Sequence, residues 1–302
     1  MQLASVRQAS AGPWWLIRLR ARRAARFAPP IMALPTLGAG LRCRRSVLAG
    51  GSCRASRAGI TVGAVMDDSV AVAAIAAIRG GDVAALARLL EAEPDLAASR
   101  LNGIAGGRTP LHIVSDWPGY FPNGPAVVAL LVDAGADPND RGTDDGHGET
   151  PLHWAASSDD ADVARALIDG GADLEAPGGS IGTPLDNAVG HGCWHVARLL
   201  AARGARVGRL WHAASLGMLD RLEDLLAPGI DQEQISQGFW HACAAGQRRA
   251  AERLLSAGAD LNWVPDYAEG TALDAAAGPG TRRDNVIEWL RSKGAHSART
   301  SD

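Results

Sequence analysis

Apolar positions along this chain recur in blocks, and the blocks share a starting phrase. Thr109-Pro-Leu-His112 returns as Thr150-Pro-Leu-His153, as Thr183-Pro-Leu-Asp186 and as Thr271-Ala-Leu-Asp274. Between the last two stand Leu210-Trp-His-Ala213 and Phe239-Trp-His-Ala242, the same helix start without Thr-Pro. Helical stretches with paired leucines follow, at Leu130-Leu131, Leu199-Leu200, Leu225-Leu226 and Leu254-Leu255. Three stretches close with Gly135-Ala-Asp137, Gly171-Ala-Asp173 and Gly258-Ala-Asp260. The residues explain themselves. Thr offers a hydroxyl to cap the first helix, and Pro at the first helical position sacrifices no needed donor. Gly supplies the left-handed residue that stops the second helix.

These motifs resemble the ankyrin repeat over about residues 67 to 296. The resemblance implies an all-α repeat fold, an ankyrin-repeat solenoid of about seven helix-pair units with short β-hairpin fingers, in which stability comes from stacking of neighbours. Residues 69–93, a pair split by Gly80-Gly81, and the stretch ending in Val286-Ile-Glu-Trp-Leu290 read as its caps. The expected division is a basic segment at 1–66 outside the fold, the repeat domain at 67–296 and a polar tail at 297–302. One unit spans 41 residues between starts where the next spans 33, with extra residues in Asp116–Gly124 and in Asp140–Gly148. Insertions in such arrays map to loops and often to binding faces.

Composition supports thin stacked layers. Apolar residues make up 47% but aromatics only 5%, leaving mostly Ala, Leu and Val, which suit closely packed helices. Charge is split unevenly. Residues 1–66 hold 11 of the 30 Lys+Arg and none of the 33 Asp+Glu. Residues 67–302 therefore carry a balance of −14, which repels phosphate backbones and draws basic protein surfaces. The basic segment fits three readings: a translation start at Met66, an organellar transit peptide, or a basic arm. Its longest uncharged stretch, Phe27 to Leu41, is too short and too rich in proline to cross a membrane. Four cysteines without CxxC spacing form no disulfide framework, so a reducing, cytoplasmic setting is expected.

Candidate chemistry is thin. His112 and His153 belong to the repeated phrase, where the resemblance gives them a structural role in tying adjacent loops. His191, Cys193 and His195 straddle an inter-helix turn, with no carboxylate expected nearby and no second ligand pair at zinc spacing. His241 and Cys243 lie two apart on one helix, about 200° around it, and cannot form a nucleophile pair. No GxGxxG, P-loop, GxSxG or HExxH occurs. No cofactor, metal or enzymatic activity is expected.

The resemblance implies a concave groove lined by first helices and fingers. The position after the framework His, or after its replacement, is expected to face that groove: Ile113, Trp154, Asn187, His212 and His241, with His191 and Ser158 near the ends of the same helices. A competing reading packs His212 and His241 between repeats, alongside Trp211, Trp240 and Trp289. Trp117 and Tyr120 in the long loop, and the finger acids Asp144 and Asp145, complete the candidates. The function expected is that of a monomeric adaptor binding another protein, with Trp154 as the main anchor. An exported effector or inhibitor, and an enzyme with a hidden site, are the alternatives.

Overall fold

The repeated phrase acts as a set of interlocked caps. Thr150 and Thr183 each open a helix by a reciprocal box, in which the side chain three residues on reaches back to the threonine N–H: Thr150 N–H donates to His153 Nδ1 at 3.1 Å, and Thr183 N–H to Asp186 Oδ2 at 2.7 Å. Thr271 repeats this with Asp274 at 2.9 Å. The chain is seen in a computed structural model that describes residues 68–101, 107–142, 148–226, 228–278 and 283–298. Its described residues form consecutive antiparallel helix pairs. These are α1 (Asp68–Gly80) with α2 (Val83–Ala92), α3 (Pro110–Ser115) with α4 (Gly124–Asp133), α5 (Pro151–Ser158) with α6 (Ala161–Asp169), and α7 (Pro184–Gly190) with α8 (Trp194–Ala202). There follow α9 (Leu210–Leu216) with α10 (Leu219–Leu225), α11 (Gln232–Ala244) with α12 (Arg248–Ser256), and α13 (Ala272–Ala276) with α14 (Asp284–Ser292).

One apolar core runs the length of the stack, built from residues such as Ile78, Leu111, Leu131, Leu152, Leu167, Leu185, Leu200, Leu222, Leu254 and Leu290. The Ala-Ala and Ala-Val pairs of the first helices, Ala155-Ala156, Ala188-Val189 and Ala213-Ala214, are fully buried and let successive backbones approach. The fingers show little strand pairing among the described residues. Among the described residues the one β-bridge joins Leu101 and Arg108; elsewhere single contacts such as Gly142 N–H to Glu149 O, 2.9 Å, close hairpin-like loops.

The row of fingers is interrupted. Residues 134–150, 170–183 and 257–271 connect one pair to the next by long loops, whereas 203–209 and 226–231 are short. Phe239 of α11 stands where Leu111, Leu152, Leu185 and Leu210 stand in their helices, yet α11 begins seven residues before it, at Gln232. At 1.5 Å per residue the extension projects about 10 Å on the finger side. It braces the following finger: Ser236 Oγ accepts from Asp260 N–H at 2.9 Å, and Gln232 Nε2 donates to Gly258 O at 3.2 Å.

Candidate functional site

The framework position ties each unit to the next. His112 Nε2 donates to Glu149 O at 2.9 Å and His153 Nε2 to Gly182 O at 3.0 Å, the carbonyls just before Thr150 and Thr183. Trp240 fills the same slot, its Nε1 donating to Gly270 O at 3.0 Å, just before Thr271. With Nε2 donating, Nδ1 of His153 accepts, which fits a neutral ring; burial holds its pKa below the ordinary value.

The position after the framework residue behaves differently from the expectation. Ile113, Asn187, His212 and His241 are all buried, at 1%, 0%, 2% and 4% exposure, and none of them lines a groove. Contacts with the preceding unit recur along the row. Trp154 meets the His112 ring edge-on at 5.4 Å, and His241 lies 5.0 Å from the Trp211 ring. His212 Nε2 donates to Asp186 Oδ1 at 3.0 Å, and Asn187 Nδ2 to Glu149 Oε1 at 3.1 Å. The physical reason is that Trp154, Asn187 and His212 pack against the preceding unit, while His241 bridges both neighbours, Trp211 behind it and the Tyr267 hydroxyl ahead at 3.1 Å. Trp154 is half-buried, with the Arg108 guanidinium 4.6 Å from its ring centroid and its Nε1 enclosed without a hydrogen-bond partner. It is wedged between units, not displayed as the anchor expected.

Burial governs the titration of this row. His241 is pushed down to about 3 by burial and by His212, so it is neutral near pH 7. Burial pushes the Asp186 and Glu149 carboxyls up, but hydrogen bonds outweigh it, from His212 and Thr183 to Asp186 and from Ser180 and Asn187 to Glu149. Both end below the usual carboxylate range. The Cys193 and Cys243 thiols are free, buried and pushed well up by burial. His195, expected to have no carboxylate nearby, meets Asp159: Nδ1 to Oδ2 is 2.7 Å, and Asp159 Oδ1 also accepts from the His195 and Val196 N–H groups at the start of α8. His191 is half-buried at the end of α7, and Ser158 Oγ donates to Ser115 O at 3.1 Å. Among the described residues no group of three or more His, Cys, Asp or Glu side chains is placed to hold a metal ion. Trp211 and Trp289 are buried in the stack and Trp240 is half-buried there, as the packing reading expects.

What remains outward lies chiefly on connections. Trp117 and Tyr120 are 47% and 59% exposed on the turn between α3 and α4. Ile181, Val264 and Tyr267, not singled out in the sequence, stand exposed on the fingers 170–183 and 257–271. Between those fingers the short connections leave a cleft of about 280 Å³, lined by Arg209, Leu210, Trp211, Ile230, Gln234 and Gln237. The shortened spacing of starts near 210 and 239 was the sequence signal for it. Asp144 and Asp145 lie outside the described residues, as does the segment 1–66.

Stacked helix pairs, reciprocal Thr caps and framework His residues together define a repeat protein, and comparison with known proteins gives the same class. Residues 120–209 match the family model of ankyrin repeats, in three copies. The chain thus carries ankyrin repeats. It is 34% identical over 135 residues to the B-cell lymphoma 3 protein homolog of Mus musculus, covering 40% of this chain and 28% of that one. It is 41% identical over 80 residues to the protein fem-1 homolog A of Danio rerio, covering 24% and 12%. The chain thus spans about a quarter or less of the length of these relatives. Among solved structures, the ankyrin repeat domain of Bcl-3, a unique member of the IkappaB protein family, is 28% identical, with 72% of this chain and 97% of that chain covered and a TM-score of 0.42. The human ASB11 ankyrin repeat domain is 21% identical, with 72% and 96% covered and a TM-score of 0.44. Ankyrin repeats are protein–protein interaction modules and generally not enzymes. No helix among the described residues is long and apolar enough to cross a membrane.

Proposed function

We propose that the protein is a non-enzymatic adaptor that holds another protein across its finger side. The observation that carries this reading is the exposure of Ile181, Val264 and Tyr267 on the two fingers flanking the Trp211-floored cleft. Apolar groups turned to water add nothing to stacking, and rigid aromatic and aliphatic anchors beside a cleft are what an interface uses. Tyr267 is firmly set: His241 Nε2 lies 3.1 Å from its hydroxyl and Gln237 Nε2 3.3 Å. In this reading residues 67–296 form the binding domain and act as a monomer in a reducing, cytoplasmic setting, to which the buried free cysteines are suited.

The test is capture with the full chain as bait and quantitative mass spectrometry, comparing wild type with an Ile181→Ser, Val264→Ser, Tyr267→Ser triple variant. The triple variant should keep its helical circular dichroism and lose most of the specifically captured protein. An unchanged capture profile would overturn the finger-side reading.

A further inference from the structure

The turn between α3 and α4 occupies residues 116–123, where the equivalent turn between α5 and α6 needs only Asp159 and Asp160. A long excursion of this kind is ordinarily loose, but this one is fastened at both ends. Tyr120 N–H donates to Asp160 Oδ2, and its hydroxyl donates to Asp159 O. Asn123 Nδ2 donates to Gly81 O at 2.9 Å, Trp117 N–H to Asp116 Oδ1 at 2.8 Å, and Gly119 N–H to Asp116 O at 2.8 Å. Tyr120 and Asn123 are held at φ of 56° and 54°, left-handed values that non-glycine residues adopt only when their surroundings enforce them. These contacts pin the loop, and the Trp117 and Tyr120 rings on it stand exposed to water.

Beside Tyr120 lies a cleft of about 230 Å³, bordered by Phe121, Asn123, Pro125, Asp160 and Asp162. The charged groups of its lining are the two carboxylates. Asp160 is spent on capping α6 and holding Tyr120. Asp162 is exposed, and its 3.3 Å contact with Arg165 is a surface pair with both side chains more than half exposed, worth little. The nearby cations Arg79 and Arg108 pair with Asp116, at 3.3 and 3.4 Å, not with Asp162. Partial burial, with a smaller contribution from the charges of Asp159, Asp160 and Asp162, pushes the Tyr120 hydroxyl up to about 12.

We propose that this turn is a second docking surface, separate from the finger side, for an arginine- or lysine-bearing segment of a partner protein. The alkyl stem of the cationic residue lies along Tyr120, Phe121 and Pro125, and its head group meets Asp162 beside the Tyr120 ring. Trp117 extends the apolar rim. The −14 balance of residues 67–302 steers such a segment toward the body from a distance.

The probe is a pair of blocked pentapeptides, Gly-Arg-Leu-Arg-Gly and Gly-Glu-Leu-Glu-Gly, titrated into the full chain and read by amide chemical shifts and calorimetry. The arginine peptide should bind at the turn and the glutamate peptide should not. Asp162→Asn and Tyr120→Ala should each weaken the arginine peptide about fivefold or more, while Tyr120→Phe, which keeps the ring, retains most binding. Asp284→Asn, a change to an exposed acid on α14, and the finger triple variant should leave it untouched. Equal binding of both peptides, no binding, or equal weakening by Asp162→Asn and Asp284→Asn would overturn the proposal without bearing on the finger side.

Discussion

Removing the Asp186 carboxylate should be the most damaging single truncation in the middle of the array. The side chain is 2% exposed and serves two units at once. Within its own helix it accepts from Thr183 N–H at 2.7 Å and from Thr183 Oγ at 2.9 Å. From the next unit it accepts from His212 Nε2 at 3.0 Å and forms an ion pair with Arg209, Nε to Oδ1 2.8 Å. Loss of a cap costs about 1 kcal/mol. Arg209 can return to water, since its side chain is 56% exposed, and so adds little. His212 cannot: its side chain is 3% exposed and its Nδ1 already lacks a partner, so Asp186→Ala leaves a buried imidazole with neither nitrogen bonded. Stranding a buried polar group costs about 1–3 kcal/mol, and a broken buried pair about 3–5 in total. We expect Asp186→Ala to cost about 3–5 kcal/mol and Asp186→Asn, which keeps the shape, roughly half as much. Urea melts followed by circular dichroism and by Trp fluorescence measure this, with a double-mutant cycle to His212→Ala. Coupling above about 1 kcal/mol is expected for groups in contact. A cost below about 1 kcal/mol together with zero coupling would mean that His212 does not rest on Asp186, and would return it to the groove.

Two further outcomes follow from the same row of side chains. Trp154→Ala should cost about 2 kcal/mol in a urea melt, roughly half the value for a fully buried aromatic, because the ring is only half enclosed between His112 and Arg108; a cost under about 0.5 kcal/mol would show that the ring faces open solvent. His153 and His241 both titrate below the ordinary histidine value in the folded chain, so on acidification the unfolded chain takes up their protons first. Stability should be fully present above about pH 6.5 and fall below it, each histidine adding up to about 1.4 kcal/mol per pH unit, with the His241 share persisting down to about pH 3. His241→Phe should flatten the dependence between pH 6.5 and 5 by about one proton, and superimposable slopes for variant and wild type would refute the assignment.

The repeats were legible because each signal in them is local. Thr109, Thr150, Thr183 and Thr271 cap helices within three residues of themselves, and the Gly after α4, α6 and α12 ends a helix by its own φ. The facing of Ile113, Asn187, His212 and His241 was misread because it is not local. Whether the residue after the framework position looks into a groove or back along the stack depends on the preceding unit. For His212 the deciding partner, Asp186, stands 26 residues earlier. The extension of α11 was hidden for a related reason: Gln232–Gly238 carries no Thr-Pro start, and its helical state rests on the finger it braces. The exposure of Trp117 and Tyr120 fits the sequence reading, while the fastening of their loop by Asp159 and Asp160 could not be read without the neighbouring turn.

The broken row of fingers also changes what kind of ruler the molecule is. A perfectly periodic solenoid offers a partner several equivalent seats, each one unit from the next, and a ligand that recognises the period alone can slide between them. Here the row of fingers breaks where the connections 203–209 and 226–231 shorten and the N-terminal turns of α11 take the place of a loop. That break is a phase mark. Anything that touches the fingers on both sides of it, at Ile181 and at Tyr267, has one alignment in which both contacts are made and none when shifted by a unit.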